Sequence, residues 1–308
     1  MPRFMALGLS STVQETVSFK SLVLGAVNRS VSYRLDASGK AVNAARVLNQ
    51  IERGCVSAIC PLGSENASLF LSLAAGDCLP VIPVMVPGKT RFCYTLLDVG
   101  EGTATELVVG ESVSADAAAR EAFHAARDRI LEIVSGIPPG DYLLLAGSRP
   151  EAFTGDLYPQ ACHLAREAGV PVMTDFHGPD LLAAVGRAVP DIIKINEGEF
   201  LATFAPGISS PDERDLAAMI AAESARLGNV IVITRGADAV LAGDRGTPFR
   251  REAEPLKPVN VIGCGDSFAA GFLYAWAKGE GMDAALDRAV RCASANAMSI
   301  RPGSIQNS

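Results

Sequence analysis

The sequence has no long hydrophobic run, and this absence excludes a protein that spans a membrane. Hydrophobic residues make up 49% of the 308 residues. The longest apolar runs are nevertheless only about six residues, far below the roughly 18 that a transmembrane helix requires. The apolar run near the N-terminus is also shorter than a signal-peptide core of about 7–15 residues. We therefore expect a cytoplasmic protein with no membrane partner.

The sequence also lacks any block of lysine and arginine residues. Its 34 acidic residues outnumber the 27 basic ones, which gives a formal net charge of −7. A basic patch or stripe is the usual electrostatic footprint of a nucleic-acid-binding domain, so we expect no nucleic-acid partner. Any anionic ligand must be held by a few local groups.

Motifs for metal clusters and for dinucleotides are missing as well. The seven cysteines form no C-x-x-C pair, which argues against a zinc cluster, and their odd number argues against a disulfide framework. The histidines, His124, His163 and His177, lack metal-ligand spacing. No G-x-G-x-x-G follows an N-terminal strand, which excludes a dinucleotide-dependent oxidoreductase.

Short apolar strands alternate with amphipathic helices from about residue 116 onward. This alternation is typical of βαβ units that build a parallel sheet. The predicted strands are DYLLLAGS, PVMTDF, DIIKIN and NVIVITRG, and the predicted helices begin at ADAAARE, TGDLYPQ, DLAAMIA, DSFAAGF and MDAALDR. Because the length suits one large α/β domain, we assign residues 1–308 to a single domain with a mostly parallel sheet.

The first hundred residues have a different pattern. Two stretches, about 10–37 and 89–109, contain β-branched and alternating polar residues without a helical period, which predicts antiparallel strands. Between them, KAVNAARVLNQIERG predicts a helix and CVSAICPLG predicts a strand of the main sheet. We expect the two stretches to form a small β subdomain.

The segment VIGCGDSFAAGF, residues 261–272, combines a glycine turn, an aspartate and an apolar helix. The backbone N–H groups of such a turn and the positive end of the helix dipole attract a phosphate or a developing oxyanion. The adjacent carboxylate can accept the proton of an attacking hydroxyl. Phosphoryl transfer uses both features, although glycine turns and aspartate caps are also common without any chemical role.

This segment resembles the C-terminal signature of the PfkB, or ribokinase-like, carbohydrate kinases. The resemblance continues in order along nearly the whole chain, through ASGKAVNAARVLNQI, KTRFCYTLLD, LAGSRPEAF, TDFHG, IKINEGEF, VIVITRGADAVL and ASANAM. Within the family, the sequence is most similar to the branch of 1-phosphofructokinase and tagatose-6-phosphate kinase. The resemblance implies a three-layer α/β/α sandwich with a small β-sheet lid, and it implies ATP and Mg²⁺ as cofactors.

The resemblance also implies roles for residues around the phosphates. Asp266 matches the catalytic base, and the backbone N–H groups of Gly263, Cys264 and Gly265 match the anion hole. The other matches are Asn196 and Glu199 in the N-x-x-E motif that positions magnesium, Lys194 near the triphosphate, Thr234 and Gly236 in the nucleotide-binding turn, and Asn296 beside the adenine pocket.

On the substrate side, the sequence departs from the family pattern. Gly39, Lys40 and Asn43 match the G-G-K-G-x-N motif that contacts the sugar, but Ser38 and Ala41 replace two of its glycines. The N-terminal N-P-A-x-D element is also missing, because the corresponding stretch is SSTVQ and Gln14 occupies the position of the acid. A glutamine can still hydrogen-bond a hydroxyl, although it carries no charge.

Together, these matches predict an ATP-dependent kinase that phosphorylates a hydroxyl of a small carbohydrate. The pair Thr90-Arg91 resembles the hexose-phosphate branch and favours fructose 1-phosphate, fructose 6-phosphate or tagatose 6-phosphate as the substrate. A kinase of a free sugar or nucleoside, and a non-catalytic homologue that binds sugar or nucleotide, are the alternatives. We expect the stretches 10–37 and 89–109 to form a lid over the sugar and to pair with a second copy in a homodimer.

Overall fold

The computed structural model describes residues 2–109 and 117–306, and in these residues it contains two β-sheets flanked by helices. The strands are β1 (Phe4–Leu7), β2 (Thr12–Phe19), β3 (Ser30–Ser38), β4 (Val56–Gly63), β5 (Val81–Val86), β6 (Arg91–Asp98), β7 (Thr103–Val108), β8 (Tyr142–Ala146), β9 (Val172–Asp175), β10 (Ile192–Asn196), β11 (Val230–Arg235), β12 (Asp238–Asp244) and β13 (Thr247–Arg251). The helices are α1 (Lys40–Ile51), α2 (Ala67–Gly76), α3 (Ala117–Ser135), α4 (Leu157–Glu167), α5 (Pro179–Arg187), α6 (Glu197–Phe204), α7 (Glu213–Leu227), α8 (Cys264–Ala277) and α9 (Met282–Ala297).

The larger sheet has nine strands in the order β13-β12-β11-β10-β9-β8-β1-β4-β5. Seven neighbouring strands run parallel to one another, namely β11, β10, β9, β8, β1, β4 and β5. Strands β12 and β13 extend one edge of the sheet in antiparallel orientation. The predicted mostly parallel sheet is therefore confirmed. A parallel sheet is stable only when helices cover both of its faces, which explains why its strands are almost continuously apolar.

Two hydrophobic cores lie on opposite faces of this sheet. One core packs α1, α2, α8 and α9 against the sheet and includes Phe70, Phe268 and Phe272. The other packs α3 to α7 against the opposite face and includes Ile130 and Tyr158. The arrangement is the expected three-layer α/β/α sandwich. No helix in the described parts of the chain is long and apolar enough to cross a lipid bilayer.

The direction of the chain across the large sheet reverses between β1 and β8. From β1 the strand order continues through β4 to β5 on one side, and from β8 it continues to β11 on the other. In open α/β sheets, a reversal of this kind leaves a crevice at the carboxyl ends of the strands, where ligands bind. We therefore expect a functional site in the crevice at this edge.

The smaller sheet has four strands in the order β3-β2-β6-β7. Its strands come from the two stretches in which we predicted a β subdomain. The prediction that these strands are all antiparallel is wrong, because β2 and β6 pair in parallel, whereas β3 and β7 are antiparallel to their neighbours. The chain passes through α1, β4, α2 and β5 between β2 and β6, and a long connection of this kind permits a parallel pair.

The predicted elements of the second half are confirmed, with one part outside the described residues. The first two residues of the helix predicted at ADAAARE, 115 and 116, are not described, and α3 begins at Ala117. Strands β1 and β5 and helices α2, α5 and α6 were not predicted from the sequence, and neither were β12 and β13. These additional elements fit the alternating pattern without changing the predicted fold class.

Candidate active site

The glycine turn of VIGCGDSFAAGF lies at the start of α8, beside the crevice. Gly263 has a φ of +83°, and a Cβ atom there would lie 2.5 Å from the backbone nitrogen of Gly303. A side chain at this position is excluded on both grounds, so the turn requires glycine. The N–H group of Cys264 donates to the carbonyl of Val261 over 3.3 Å, so one of the predicted anion-hole donors already has an acceptor.

Asp266 lies in the first turn of α8 and is only 8% exposed. The Nδ2 atom of Asn43 donates a 2.8 Å hydrogen bond to one of its carboxylate oxygens. Burial, and next the nearby charge of Asp175, raise the pKa of Asp266, and after the opposing effects of Lys40, the Asn43 hydrogen bond and Lys194 it lies at about 6. Near neutral pH the carboxylate is therefore ionised and able to accept a proton.

Asp175 joins two lysines beside this aspartate. Its carboxylate, which ends β9, accepts 2.9 Å hydrogen bonds from both Lys40 and Lys194. Burial opposes the ionisation of Asp175, but the charges of Lys194 and Lys40 outweigh burial and hold the pKa of the carboxyl below its usual range. Sequence analysis missed this residue, because its importance depends on three elements that meet only in the fold.

The ammonium group of Lys194 lies against the glycine turn. A Cβ atom on Gly265 would lie 3.0 Å from Lys194 Nζ, so glycine leaves room for the lysine to approach the start of α8. The structure therefore brings four of the predicted residues together, since Lys40, Asn43 and Lys194 all surround Asp266. A fixed positive charge beside backbone N–H groups is well suited to bind a phosphate.

A cavity of about 570 Å³ adjoins the glycine turn. Thr234 and Gly236 line it from the end of β11, and Cys264 and Gly265 line it from α8. The pairing of β11 with β12 is irregular between Ile233 and Arg235, and such a bulge re-aims the side chain between them. The rest of the wall is mostly apolar and is formed by residues such as Val240, Leu256, Phe268, Val290 and Ala297. The cavity is suited to a flat, apolar ring with phosphates directed toward the turn.

Asn296 does not line this cavity in the structure. It is fully buried in α9, where its Nδ2 atom donates to the carbonyl of Ile262 and its Oδ1 atom accepts from Ser267 and from the backbone of Ser304. The side chain supports the glycine turn from behind. Its predicted place beside an adenine ring stays a prediction.

Asn196 and Glu199 form a reciprocal cap at the start of α6. The Asn196 side chain accepts a 2.9 Å hydrogen bond from the Glu199 backbone, and Glu199 Oε2 accepts one of 2.9 Å from the Asn196 backbone. The other carboxylate oxygen of Glu199 lies 3.7 Å from His177 Nε2. Within residues 2–109 and 117–306, no group of three or more His, Cys, Asp or Glu side chains has the geometry of a metal cage.

The helix α1 begins with residues of the predicted sugar motif. Gly39 has a φ of +115°, and a Cβ atom there would approach the Ser10 carbonyl to 2.9 Å, which explains why this motif glycine is retained. Ala41 replaces another motif glycine, and its Cβ atom would lie 2.7 Å from a Cβ on Gly8. The absence of a side chain at Gly8 therefore makes room for the methyl group of Ala41.

A second cavity, of about 400 Å³, is lined by two arginines. Its lining residues are Ser10, Arg91, Ser148, Arg149, Pro150, Glu151 and Ala152. The guanidinium group of Arg149 is held by Asp180 through hydrogen bonds of 3.0 to 3.2 Å. We call this space the arginine cavity. Of its polar residues, sequence analysis selected only Arg91, although LAGSRPEAF placed Ser148 and Arg149 after a strand, where ligand-binding loops occur.

Arg91 faces an acidic neighbour as well as the cavity. Burial raises the pKa of Glu106, and the charge of Arg91 opposes this increase. The two residues therefore interact across β6 and β7. Gln14 is also engaged inside the smaller sheet, because its Nε2 atom donates to the Cys93 carbonyl and to the Thr95 hydroxyl. Both of its N–H groups therefore already have acceptors in the neighbouring strand.

Comparison of the sequence with known proteins identifies one family. The sequence pattern of the pfkB family carbohydrate kinases matches residues 6–305. The chain belongs to that family. It is also 33% identical, over 281 residues, to a 1-phosphofructokinase from Rhodobacter capsulatus, covering 89% of this chain and 83% of that protein.

Solved structures of phosphofructokinase-2 have the same fold as this kinase. A phosphofructokinase-2 mutant from Escherichia coli superposes with a TM-score of 0.84 at 22% identity, over 99% of this chain and 96% of the other. The same enzyme in complex with fructose-6-phosphate gives a TM-score of 0.78 at 22% identity, over 97% and 93% of the two chains. The ribokinase-like fold and the assignment as a carbohydrate kinase, both predicted from the sequence, are confirmed.

Proposed function

We propose that this kinase transfers the terminal phosphoryl group of ATP to a hydroxyl of a hexose phosphate. The observation that carries the proposal is the group of side chains around the buried carboxylate of Asp266, which comprises Lys40, Asn43 and Lys194. The turn just before Asp266 lines the apolar cavity through Cys264 and Gly265. Lys40 lies beside Gly147, and Gly147 directly precedes Ser148, which lines the arginine cavity.

The chemistry follows from the groups that surround Asp266. Its carboxylate takes the proton of the attacking sugar hydroxyl, whose oxygen forms a bond to the terminal phosphorus as the bond to the departing ADP oxygen breaks. The backbone N–H groups of the glycine turn and the ammonium of Lys194 stabilise the negative charge that spreads over the transferred group. The apolar cavity excludes water from the nucleotide side.

The arginine cavity supports a phosphate on the substrate. The guanidinium groups of Arg91 and Arg149 both line this cavity, and a guanidinium can bind phosphate through two parallel N–H bonds. Asp180 holds Arg149 in place, and the chain is acidic overall, so this concentration of positive charge is local. The 1-phosphofructokinase relative supports the same class of substrate.

Magnesium fits the oxygen donors at the end of β10. Mg²⁺ keeps several of its waters and binds through one or two carboxylates together with substrate phosphates. Glu199 is partly exposed and uses one carboxylate oxygen in its cap, and its second oxygen, 3.7 Å from His177 Nε2, would orient the waters of the ion together with Asn196. When bound, the ion neutralises phosphate charge.

A panel of substrates tests the proposal. We expect ADP release with fructose 1-phosphate, fructose 6-phosphate or tagatose 6-phosphate, at a kcat/KM at least about tenfold above that for free fructose or ribose. Arg91→Ala and Arg149→Ala should each lower that value by about 10-fold or more, the usual effect of a lost charge-assisted hydrogen bond. A free sugar that is turned over equally well, with no effect of either variant, would show a kinase of free sugars. Binding of nucleotide without any turnover would show a non-catalytic homologue.

We also propose that the smaller sheet acts as a lid and joins two copies of the chain. Several apolar side chains on β3, β7 and the loop between β2 and β3 are exposed, including Leu24 at 93%, Val31 at 64% and Tyr33 at 56%. Exposed apolar patches of this kind mark protein interfaces. A tetrameric form is described for phosphofructokinase-2 from Escherichia coli.

Sedimentation analysis tests this assembly. We expect a dimer at micromolar concentration, and we expect Tyr33→Glu to shift the equilibrium toward the monomer because it places a charge in an apolar contact. Ile208→Glu changes a similarly exposed apolar residue elsewhere on the surface and serves as the control. A monomeric wild-type protein would contradict the dimer but leave the lid possible.

A further inference from the structure

The side chain of Asn43 can satisfy its neighbours in only one orientation. Its Nδ2 atom donates to Asp266 over 2.8 Å. Its Oδ1 atom accepts a 3.2 Å hydrogen bond from Arg46 and a 2.9 Å hydrogen bond from the hydroxyl of Ser38. A guanidinium can only donate and an ionised carboxylate can only accept. The oxygen of the amide must therefore face Arg46, and the nitrogen must face Asp266.

Arg46 is itself held rigidly inside the protein. It is 1% exposed, and its Nε atom donates to Asp77 over 2.9 Å. Besides the bond to Asn43, two further N–H groups donate to the carbonyl of Pro302 over 3.1 Å and to the carbonyl of Ala37. A buried arginine is retained only when its N–H groups are paired. The guanidinium is therefore a fixed reference for the amide of Asn43.

Ser38 contributes a contact that glycine cannot make. It stands where the sugar motif G-G-K-G-x-N has its first glycine, and it is 2% exposed at the end of β3. A glycine would leave Arg46 as the remaining donor to Asn43 Oδ1. The replacement thus adds a second donor to the same oxygen atom.

We propose that Arg46 and Ser38 are positioning residues that fix the amide of Asn43, so that its N–H group is always directed at the carboxylate of Asp266. The inference rests on the proposed role of Asp266 as the base. Neither residue touches a reacting atom. Their effect reaches the chemistry through Asn43, which favours the ionised carboxylate by donating to it.

Charged groups around Asp266 also influence the pKa of its carboxyl. The titratable and charged groups that face Asp266 are Lys40 from α1, Asp175 at the end of β9, Lys194 from β10 and Cys264 from α8. The uncharged amide of Asn43 is the group that donates a hydrogen bond to the carboxylate in the structure. If the amide loses its fixed orientation, the ionised form of Asp266 loses this donor and becomes less favourable.

The test measures the ionisation of Asp266 in two ways. One is the acidic limb of the pH profile of kcat/KM. The other is a carbon-13 NMR titration of the aspartate carboxyls in the free protein, in which the signal of Asp266 is identified by its loss in Asp266→Asn. For Arg46→Met we expect both midpoints to rise by about one pH unit, since a hydrogen bond to a charged group contributes about that much. For Ser38→Ala we expect a smaller rise.

Two controls separate positioning from loss of structure. Arg301→Met removes an arginine of the same ion-pair network that contacts Asp77 and Asp36 but does not touch Asn43. Ser224→Ala removes the hydroxyl of another buried serine, which contacts Ala221 and Gly246 in a distant part of the fold. We expect neither control to move the two midpoints, even where Arg301→Met lowers the unfolding temperature.

Each possible result of these measurements either supports the inference or overturns it. Unchanged midpoints in both Ser38→Ala and Arg46→Met would overturn it, and so would an equal shift in Arg301→Met. If Arg46→Met does not fold, Ser38→Ala decides the question together with Ser38→Thr, which keeps the hydroxyl and should restore the wild-type midpoint. If no sugar is phosphorylated, the proposed function fails, but the NMR titration still tests the orientation of Asn43.

Discussion

The side-chain amide of Asn43 donates a 2.8 Å hydrogen bond to the carboxylate of Asp266, although the two residues are 223 positions apart in the sequence. The contact joins the start of α1 to the start of α8. Both helix N-termini carry a partial positive charge, and both point into the crevice at the carboxyl ends of the strands. This contact links the glycine turn of α8 to the predicted sugar motif at the start of α1.

Asp266→Asn should remove the proton acceptor and leave the nucleotide site nearly intact. We expect kcat to fall by roughly 10²- to 10⁴-fold, the usual contribution of a general base. ADP should bind with nearly unchanged affinity in a calorimetric titration, because the turn and the apolar cavity are preserved. A variant that keeps wild-type kcat would disprove the assignment of the base.

The activity of the wild-type enzyme should fall at acidic pH. The pKa of Asp266 is raised to about 6, chiefly by burial, and the base acts only when it is ionised. We therefore expect kcat/KM to rise as the pH passes through about 6 and to level off above it. The measurement is a pH profile with a saturating concentration of nucleotide.

Asp175→Asn should move this acidic limb to lower pH. The charge of Asp175 raises the pKa of Asp266, and its loss leaves the charges of Lys40 and Lys194 to favour the carboxylate. A shift of about one unit is a reasonable size for a charge at this range. A phosphate ester of the substrate also titrates near pH 6, but its pKa is the same with either enzyme. An unmoved limb would therefore assign the titration to the substrate.

Much of this fold could be predicted from the sequence, because periodicity and glycine placement are local properties. The alternation of apolar strands and helices predicted the parallel sheet, and the glycines at 263 and 265 predicted the turn at the start of α8. The parallel pairing of β2 with β6 was not predictable in this way. Alternating β-branched residues look the same in either strand direction, and the direction depends on a distant crossover.

The parts of the site that the sequence did not reveal depend on contacts between distant elements. Asp175 becomes important only because Lys40 and Lys194 converge on it. The position of Asn296 within the last helix was predicted, but its burial depends on how α9 packs against α8. A motif identifies the residue type at a position, whereas its role depends on which face the packing covers.

Glu199→Gln should raise the Mg²⁺ concentration required for half-maximal activity. The side-chain oxygen of glutamine can still accept the hydrogen bond from the Asn196 backbone, so the cap of α6 is retained. The negative charge is lost, and a hard cation such as Mg²⁺ favours charged oxygen ligands. Initial rates at varied Mg²⁺ and fixed ATP measure the change. Identical Mg²⁺ curves would remove the metal role of Glu199 and leave it as a capping residue.

Asp266→Asn should also make the protein more stable above neutral pH, at the expense of activity. The pKa of this group is raised in the folded state to about 6, from its ordinary value of 3.8, so its effect on stability is most favourable below about pH 4 and is lost as the pH rises through 6. Asparagine carries no charge to bury, and its side-chain oxygen can still accept from Asn43. We expect the variant to match the wild type near pH 4 and to exceed it by about 1–3 kcal/mol above pH 7. Urea unfolding at several pH values measures this difference, with the exposed Asp238→Asn as the control for loss of a surface carboxylate. A difference that stays constant between pH 4 and 8 would show that the buried charge of Asp266 costs the fold nothing.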